Sequence, residues 1–401
     1  MYTNAVPRFV MLTTTIVAAA CAQVDPTGTE MPFGAVHYAM ASEPAGPGWQ
    51  AEARALVAAN SQSPLAAGRI FAALGVAQYA AVADVVGTRG IGNGGRSLYE
   101  AERGAVAGAS ARVLSFFYPG GAAAFEQRVQ NEANAGPGGV HPAFTRGLAI
   151  GRAAGDWMVA RLQSDGFTTP WSGTVPTGPG IFIPNGPPAG AAFGAVTPYF
   201  LTGGDQFRPS APPAFGSPEF LTDLDEIKTL SDNRTPEQQA SAVQWNYPNG
   251  TYTPVGYWHE LAGQFIEENG MNERAAAHVF ALVGAVGMDA LIGCWEAKYE
   301  YWYIRPWQAT TGITLPIGAP NHPSYPSGHS CVSSAMADVL ADFFPARAAE
   351  LTAQVTEAGM SRMYGGIHFR FDIDAGEELG RATAQHALAI DKQQGLLSAL
   401  R

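Results

Sequence analysis

The chain has 401 residues, with 23 Lys and Arg against 34 Asp and Glu, giving a formal net charge of −11. That balance argues against a nucleic-acid binder, which presents a basic face. Hydrophobic residues make up 47% and charged residues 14%, which excludes whole-chain disorder and leaves ample apolar surface for a core.

Residues 1–22 have the pattern of a signal peptide. Arg8 gives a short basic region, Phe9 to Ala20 is largely apolar, and Ala20-Cys21-Ala22 offers a small-residue cleavage site. A lipoprotein signal ending at residue 20, with Cys21 lipidated, is the alternative, although Ala18 stands where a bulkier aliphatic is usual. Either way the chain is expected to be exported, periplasmic or secreted. No later run reaches about 18 uninterrupted apolar residues, so no transmembrane helix is expected in the mature chain.

Residues 23–168 form an N-terminal helical half. Ser63-Pro64 supplies a cap and a first-turn proline, and Ile70, Phe71, Leu74 and Ala77 follow at helical spacing. Arg96 to Phe117, Ala122 to Ala133 and Pro142 to Leu162 predict three more helices. Between them Gly90-Ile91-Gly92-Asn93-Gly94-Gly95 satisfies a dinucleotide fingerprint formally, but it follows a helix rather than a strand and is read as a loop. Residues 169–234 are an ordered crossing. Its first 50 residues hold eleven prolines and nine glycines, too many for a regular helix, yet also Trp171, Phe182, Phe193, Tyr199, Phe200, Phe207 and Phe215, too many aromatics for a solvated linker. Such a segment can wall a cleft.

Helices resume over residues 235–401, where Thr235-Pro236-Glu237-Gln238 is a capping box. Further helices are predicted from Pro254 to Glu268, Asn272 to about Ile304, Ser327 to Phe344, Ala346 to Met363 and His368 to Lys392. The fold class is all-α. Of the three cysteines, Cys294 and Cys331 are read as buried helix residues, too few for a disulfide scaffold and without metal spacing.

Three clusters in the last third carry chemistry. Lys298 and Arg305 are seven apart, so on one helix they share a face, which suits an oxyanion or, equally, two cations snorkelling over an apolar helix. Pro326-Ser327-Gly328-His329 ends an extended approach and opens a helix, leaving its first amides for an anion, with His329 placed to move a proton. In Ser361-Arg362-Met363-Tyr364-Gly365-Gly366-Ile367-His368 the glycine pair breaks the helix, so Arg362 and His368 can converge. Asp372, one turn beyond, would hold one ring nitrogen of His368 and leave the other as nucleophile or ligand. The bland readings are a capped helix and a surface salt bridge. Jointly the clusters describe a tetrahedral or trigonal-bipyramidal oxyanion site.

Lys298-x6-Arg305-Pro306, Pro326-Ser327-Gly328-His329 and Ser361-Arg362-x5-His368 resemble, in order and spacing, the three signature motifs of the type 2 phosphatidic acid phosphatase and vanadium-dependent haloperoxidase superfamily. The motifs span residues 298–372; the crossing and the helical N-terminal half are also similar to its bacterial haloperoxidase-like branch. The resemblance implies an all-α helical-bundle fold with the active site in the C-terminal bundle. It implies that Lys298, Arg305, Ser327, Gly328 and Arg362 bind the oxygens of vanadate or phosphate. His368 is then the metal ligand or the phosphorus nucleophile, and His329 the general acid–base, with Lys298 assisting. Trp295 stands where haloperoxidases carry a halide-side aromatic, and His322 looks like the bromoperoxidase arrangement; a packing role stands beside each. Two activities follow: a haloperoxidase using hydrogen peroxide and halide, bromide favoured, with vanadate as cofactor, or an exported acid phosphatase of phosphomonoesters with no cofactor. A silent anion-binding protein is the third reading. The oligomeric state is left open.

Overall fold

The computed structural model describes residues 44–400 except 87, 89, 90, 92, 93, 136 and 137. The signal-peptide pattern with Cys21, and Gly90, Gly92 and Asn93 of the Gly90–Gly95 loop, lie outside the described residues. The N-terminal helices are α1 (Ala45–Ala59), α2 (Pro64–Val86), α3 (Gly95–Phe117), α4 (Ala122–Asn134) and α5 (Pro142–Ser164). Helix α1 begins in the glycine- and proline-rich stretch before Trp49 because the buried Glu273 carboxylate accepts from the Ala45 and Gly46 amides, at 2.5 and 2.8 Å. An acid at a helix start satisfies free donors and the dipole together.

After the crossing come α6 (Pro218–Asp232), α7 (Pro236–Gln244), α8 (Thr253–Glu268), α9 (Glu273–Tyr301) and the short α10 (Pro306–Ala309). Then follow α11 (Gly328–Phe343), α12 (Ala348–Tyr364), α13 (Arg370–Gln394) and α14 (Leu396–Leu400). Among the described residues there is no sheet, only two isolated bridges, so the chain is all-α.

Two expectations need correcting. Helix α6 falls inside the stretch assigned to the crossing: Ser217 caps it by accepting from the Phe220 amide at 3.3 Å, with Pro218 in its first turn. Helix α9 stops at Tyr301 and not near Arg305, so Lys298 and Arg305 do not share a helix. Trp302 turns left-handed at φ 49°, and the chain then runs extended against the crossing. Tyr303 bridges Ile181, Phe182 N donates to Trp302 O at 2.7 Å, and Ile304 N donates to Gly180 O at 2.9 Å.

Helices α2 and α9 lie against each other at the centre of one core that runs from Trp49 to Leu396. Both are long and apolar enough to cross a membrane, with mean hydropathy 1.4 and 1.8, and both are mostly buried inside the protein. Their backbones approach closely; a Cβ on Gly284 would stand 2.9 Å from Ala72 Cα. Helix α3 runs along α5 still more tightly, and α11 is sandwiched by α9, α12 and α13. A second, aromatic cluster around Phe220, Tyr303, Tyr325 and Phe369 packs α6 and the extended segment after α9 against the start of α13. Residues 43–401 form one compact unit.

Candidate active site

Helix α9 delivers Lys298 to the interior. Its ammonium is fully buried and donates to Pro323 O at 2.9 Å, Ser324 O at 2.7 Å and Pro326 O. Three carbonyl acceptors take all three ammonium protons, so Lys298 fixes the 323–326 turn, which holds a cis Tyr325-Pro326 bond. Direct contact with an anion therefore requires exchanging one of these bonds. Burial, and then Arg305, depress its pKa well below the ordinary value.

Arg305, the residue before α10, is also fully buried. Its Nε donates to His322 O at 3.0 Å, one terminal nitrogen reaches Ile367 O at 2.6 Å and His368 Nε2 at 3.1 Å, and the other reaches His322 Nδ1 at 3.1 Å. Arg362, at the end of α12, donates from Nε to Ser361 Oγ at 2.9 Å and from one terminal nitrogen to Ala242 O at 2.7 Å. Its other terminal nitrogen, Nη1, is buried with no partner among the described residues. Burial lowers both guanidiniums to about 9, which keeps them charged at neutral pH.

His368 precedes α13. Its Nδ1 lies 2.8 Å from Asp372 Oδ2, and that oxygen also accepts from Ser324 Oγ at 2.5 Å and from the Phe369 amide at 3.0 Å. The Asp372 contact makes Nδ1 the protonated nitrogen and leaves the lone pair on Nε2, facing Arg305. Burial raises the Asp372 carboxyl to about 6, against the pull of Ser324, Lys298 and Arg305, so it is ionised at pH 7. His329 sits in the first turn of α11, which Ser327 caps by accepting from the Ser330 amide at 3.4 Å. His329 Nε2 lies 2.8 Å from Trp245 O and donates to it, leaving Nδ1 as the proton acceptor. Burial holds His329, His368 and His322 well below 6.5; Arg362 adds to the effect at His329, and Arg305 at the other two.

Trp295 and His322 meet, with ring centroids 5.0 Å apart, and Trp295 Nε1 donates to Ala189 O at 3.2 Å. Both line a cavity of about 330 Å³ together with Gly328, His329, Arg362 and His368. Lys298 and Arg305 are not part of that lining and stand behind it. The sites singled out in sequence thus converge from α9, α11, α12 and α13.

Several contributors carried no role in the sequence reading. Ser324, two residues before the second motif, and Ser361, inside the third, orient Asp372 and Arg362. The carbonyls of Ala242 and Trp245, at the end of α7, position Arg362 and His329, and a backbone oxygen leaves no signal in residue identity. Cys294 and Cys331 are buried helix residues as read, but they are joined as a disulfide linking α9 to α11 beside the site.

Lys298, Arg305 and Arg362 bury three positive charges with Asp372 as the carboxylate among them, and none of the three has an ion-pair partner among the described residues. Uncompensated buried charge is strongly unfavourable, and an oxyanion with several lone pairs relieves it. The orphaned Arg362 Nη1, in a residue lining the cavity beside His329 and His368, is the donor such an anion would take.

Residues 275–395 match the family model described as the PAP2 superfamily. A non-specific acid phosphatase of Salmonella typhi is 38% identical over 78 residues, which is 20% of this chain and 31% of that protein. The match therefore spans about a third of the relative's length. The solved structure of a bacterial vanadium-dependent iodoperoxidase shares the fold with a TM-score of 0.72 at 21% identity, covering 88% of this chain and 95% of that one. A holo-type bacterial vanadium-dependent chloroperoxidase gives 0.60 at 16% identity, over 85% and 95% of the two chains.

Proposed function

We propose that the protein is a vanadium-dependent haloperoxidase, oxidising halide with hydrogen peroxide to hypohalous acid, with bromide as the favoured halide. The observation that carries this reading over its rival is the Trp295–His322 pair, placed on the cavity wall beside the anion-binding residues. Likeness of fold over most of the chain to vanadium peroxidases supports it.

The donor set fits vanadate: an imidazole lone pair on His368 Nε2, held at present by Arg305, a buried guanidinium donor unpaired among the described residues, and the start of α11 around Gly328. His368 would be the metal ligand, with Arg362, Ser327 and Gly328 holding oxygens, and Arg305 and Lys298 reaching one only by exchanging a bond they now make. When bound, vanadate supplies a Lewis-acid centre that activates hydrogen peroxide toward halide. The chain's own contributions are legible. Asp372 keeps the His368 proton on Nδ1. The Trp245 carbonyl keeps the His329 proton on Nε2, so Nδ1 takes a proton from an incoming peroxide. Lys298 and Arg305 add positive potential from behind and lock the turn and the ring.

The second reading is an exported acid phosphatase on the same residues, favoured by the 78-residue sequence match. His368 Nε2 would attack phosphorus and release the alcohol, with protonated His329 donating to the leaving oxygen and then accepting from water. Because the His329 pKa is depressed, its acid form is scarce at pH 7, so this activity should rise as pH falls. Export itself is supported by the Cys294–Cys331 disulfide, since such bonds persist in oxidising compartments.

A paired assay on one batch, with orthovanadate added or withheld, separates the readings. Bromination of a dione that requires vanadate, with any phosphatase activity inhibited by it, is the expected result. Efficient hydrolysis of an aryl phosphate with no halogenation at any halide would move the chain to the phosphatases. His368→Ala should abolish whichever activity is present.

A further inference from the structure

The cavity is larger than the chemistry proposed for it. A halide, a peroxide and a four-oxygen anion are each one to a few waters in size, at roughly 30 Å³ per water. They leave much of the 330 Å³ unfilled. The remaining wall is apolar, made by Leu65, Val255, Leu291, Trp295 and Val332. Ser63, Asn246 and Asn249 add uncharged polar groups, with Asn249 exposed. Apart from Arg362 and the two catalytic histidines with His322, the lining has no titratable side chain. A second phosphate, an ammonium or a carboxylate on the substrate would find no partner there.

We propose that this wall is a binding subsite for an uncharged, largely apolar ring placed beside the oxyanion. The inference rests on the oxyanion reading of the site. Its ring is either the organic acceptor of a halogenation or the leaving group of a phosphomonoester, and both have the same chemistry at the wall. Leu65 is the selective residue best suited to test it. It is half-buried at the first turn of α2, outside the anion-binding set, and against the glycine at 190, where a Cβ would stand 2.6 Å from Leu65 and from Trp295.

The test uses the full chain and three probes in calorimetry: inorganic phosphate, methylphosphonate and phenylphosphonate. The expected result is that phosphate binds and that phenylphosphonate binds about tenfold or more tighter than methylphosphonate, the scale set by burying one ring. Leu65→Asn, which adds polarity without charge, should erase that preference while leaving phosphate affinity within about twofold. Asn249→Trp, at an exposed position, is a second variant expected to weaken phenylphosphonate alone by filling the mouth. Equal binding of the two phosphonates with phosphate still bound would overturn the subsite and leave the anion site standing. Failure of all three to bind would overturn the oxyanion reading beneath it. Turnover then identifies the source of the ring: an aryl phosphate with lower KM than glycerol phosphate makes it the leaving group, and halogenation that saturates in phenol makes it the acceptor.

Discussion

His259 lies fully buried on α8 between Phe71, with ring centroids 4.6 Å apart, and Phe280, at 6.1 Å. Neither ring nitrogen has a hydrogen-bond partner among the described residues, and burial pushes its pKa down to about 3. A histidine whose folded value is depressed contributes stability that is intact above its unfolded value near 6.5 and is lost as pH falls from there toward 3. His259→Phe keeps the stack and removes two unsatisfied polar atoms, so it should stabilise the protein. The gain over wild type should widen as pH drops from 6.5 to about 4, read as a difference in denaturant midpoint. A variant less stable than wild type at every pH would mean that the imidazole has an unseen partner. At this scale the sequence was most informative: Arg362, His329 and His368 are recognisable because each motif is local and each role needs a particular side chain. Lys298 shows the limit. Its identity suggests a cation facing an anion, whereas its three protons go to backbone carbonyls, which no spacing rule reveals.

Between elements, the closest contact is the crossing of α3 and α5. A Cβ on Gly147 or Gly151 would stand 1.9 Å from Ala101 O or Ala105 O, so backbone meets backbone and nothing flexible can yield. Gly151→Val should cost about 1–3 kcal/mol or more by overpacking. The same change at Gly263, inside α8, where a Cβ would meet only Phe280 Cζ at 3.8 Å, is the control. Equal effects in chemical denaturation would show that helix propensity and not the crossing sets the cost. Helix boundaries were legible wherever a cap and a first-turn proline announce them, as at Ser63 and Thr235. Ser217-Pro218-Glu219 is the same signal, hidden at the end of a proline-dense stretch. The end of α9 had no signal of that kind. It is imposed by pairing with residues 180–182, more than a hundred positions away, and Trp302 takes a left-handed turn without being glycine.

Across the whole molecule, the disulfide between Cys294 and Cys331 joins the helix that carries Trp295 and Lys298 to the helix that opens with Gly328 and His329. With its ends 37 positions apart, closing that loop stabilises the fold by about 3–4 kcal/mol on the chain-entropy account. The Cys294→Ala, Cys331→Ala double variant should therefore unfold at lower denaturant and should bind phosphate more weakly, because the two helices are free to shift. Unchanged affinity with lowered stability would restrict the bond to a structural role. The composition of a three-cysteine chain gave no hint of this pair, since proximity of positions 294 and 331 depends on how α9 and α11 pack.

The anion-binding side chains all fall between residues 298 and 372, inside the segment that carries the PAP2 pattern, whereas the opposite side of the cavity comes from residues 63–65, 189–190, 246, 249 and 254–255, outside it. Part of the wall that would select the substrate is thus written outside the stretch that carries the motifs, while Leu291, Trp295, His322 and Val332 lie within it. Recombining the N-terminal part with another chain's C-terminal segment would be a direct way to move a substrate preference without rebuilding the reaction centre, provided the Ala242 and Trp245 carbonyls travel with it.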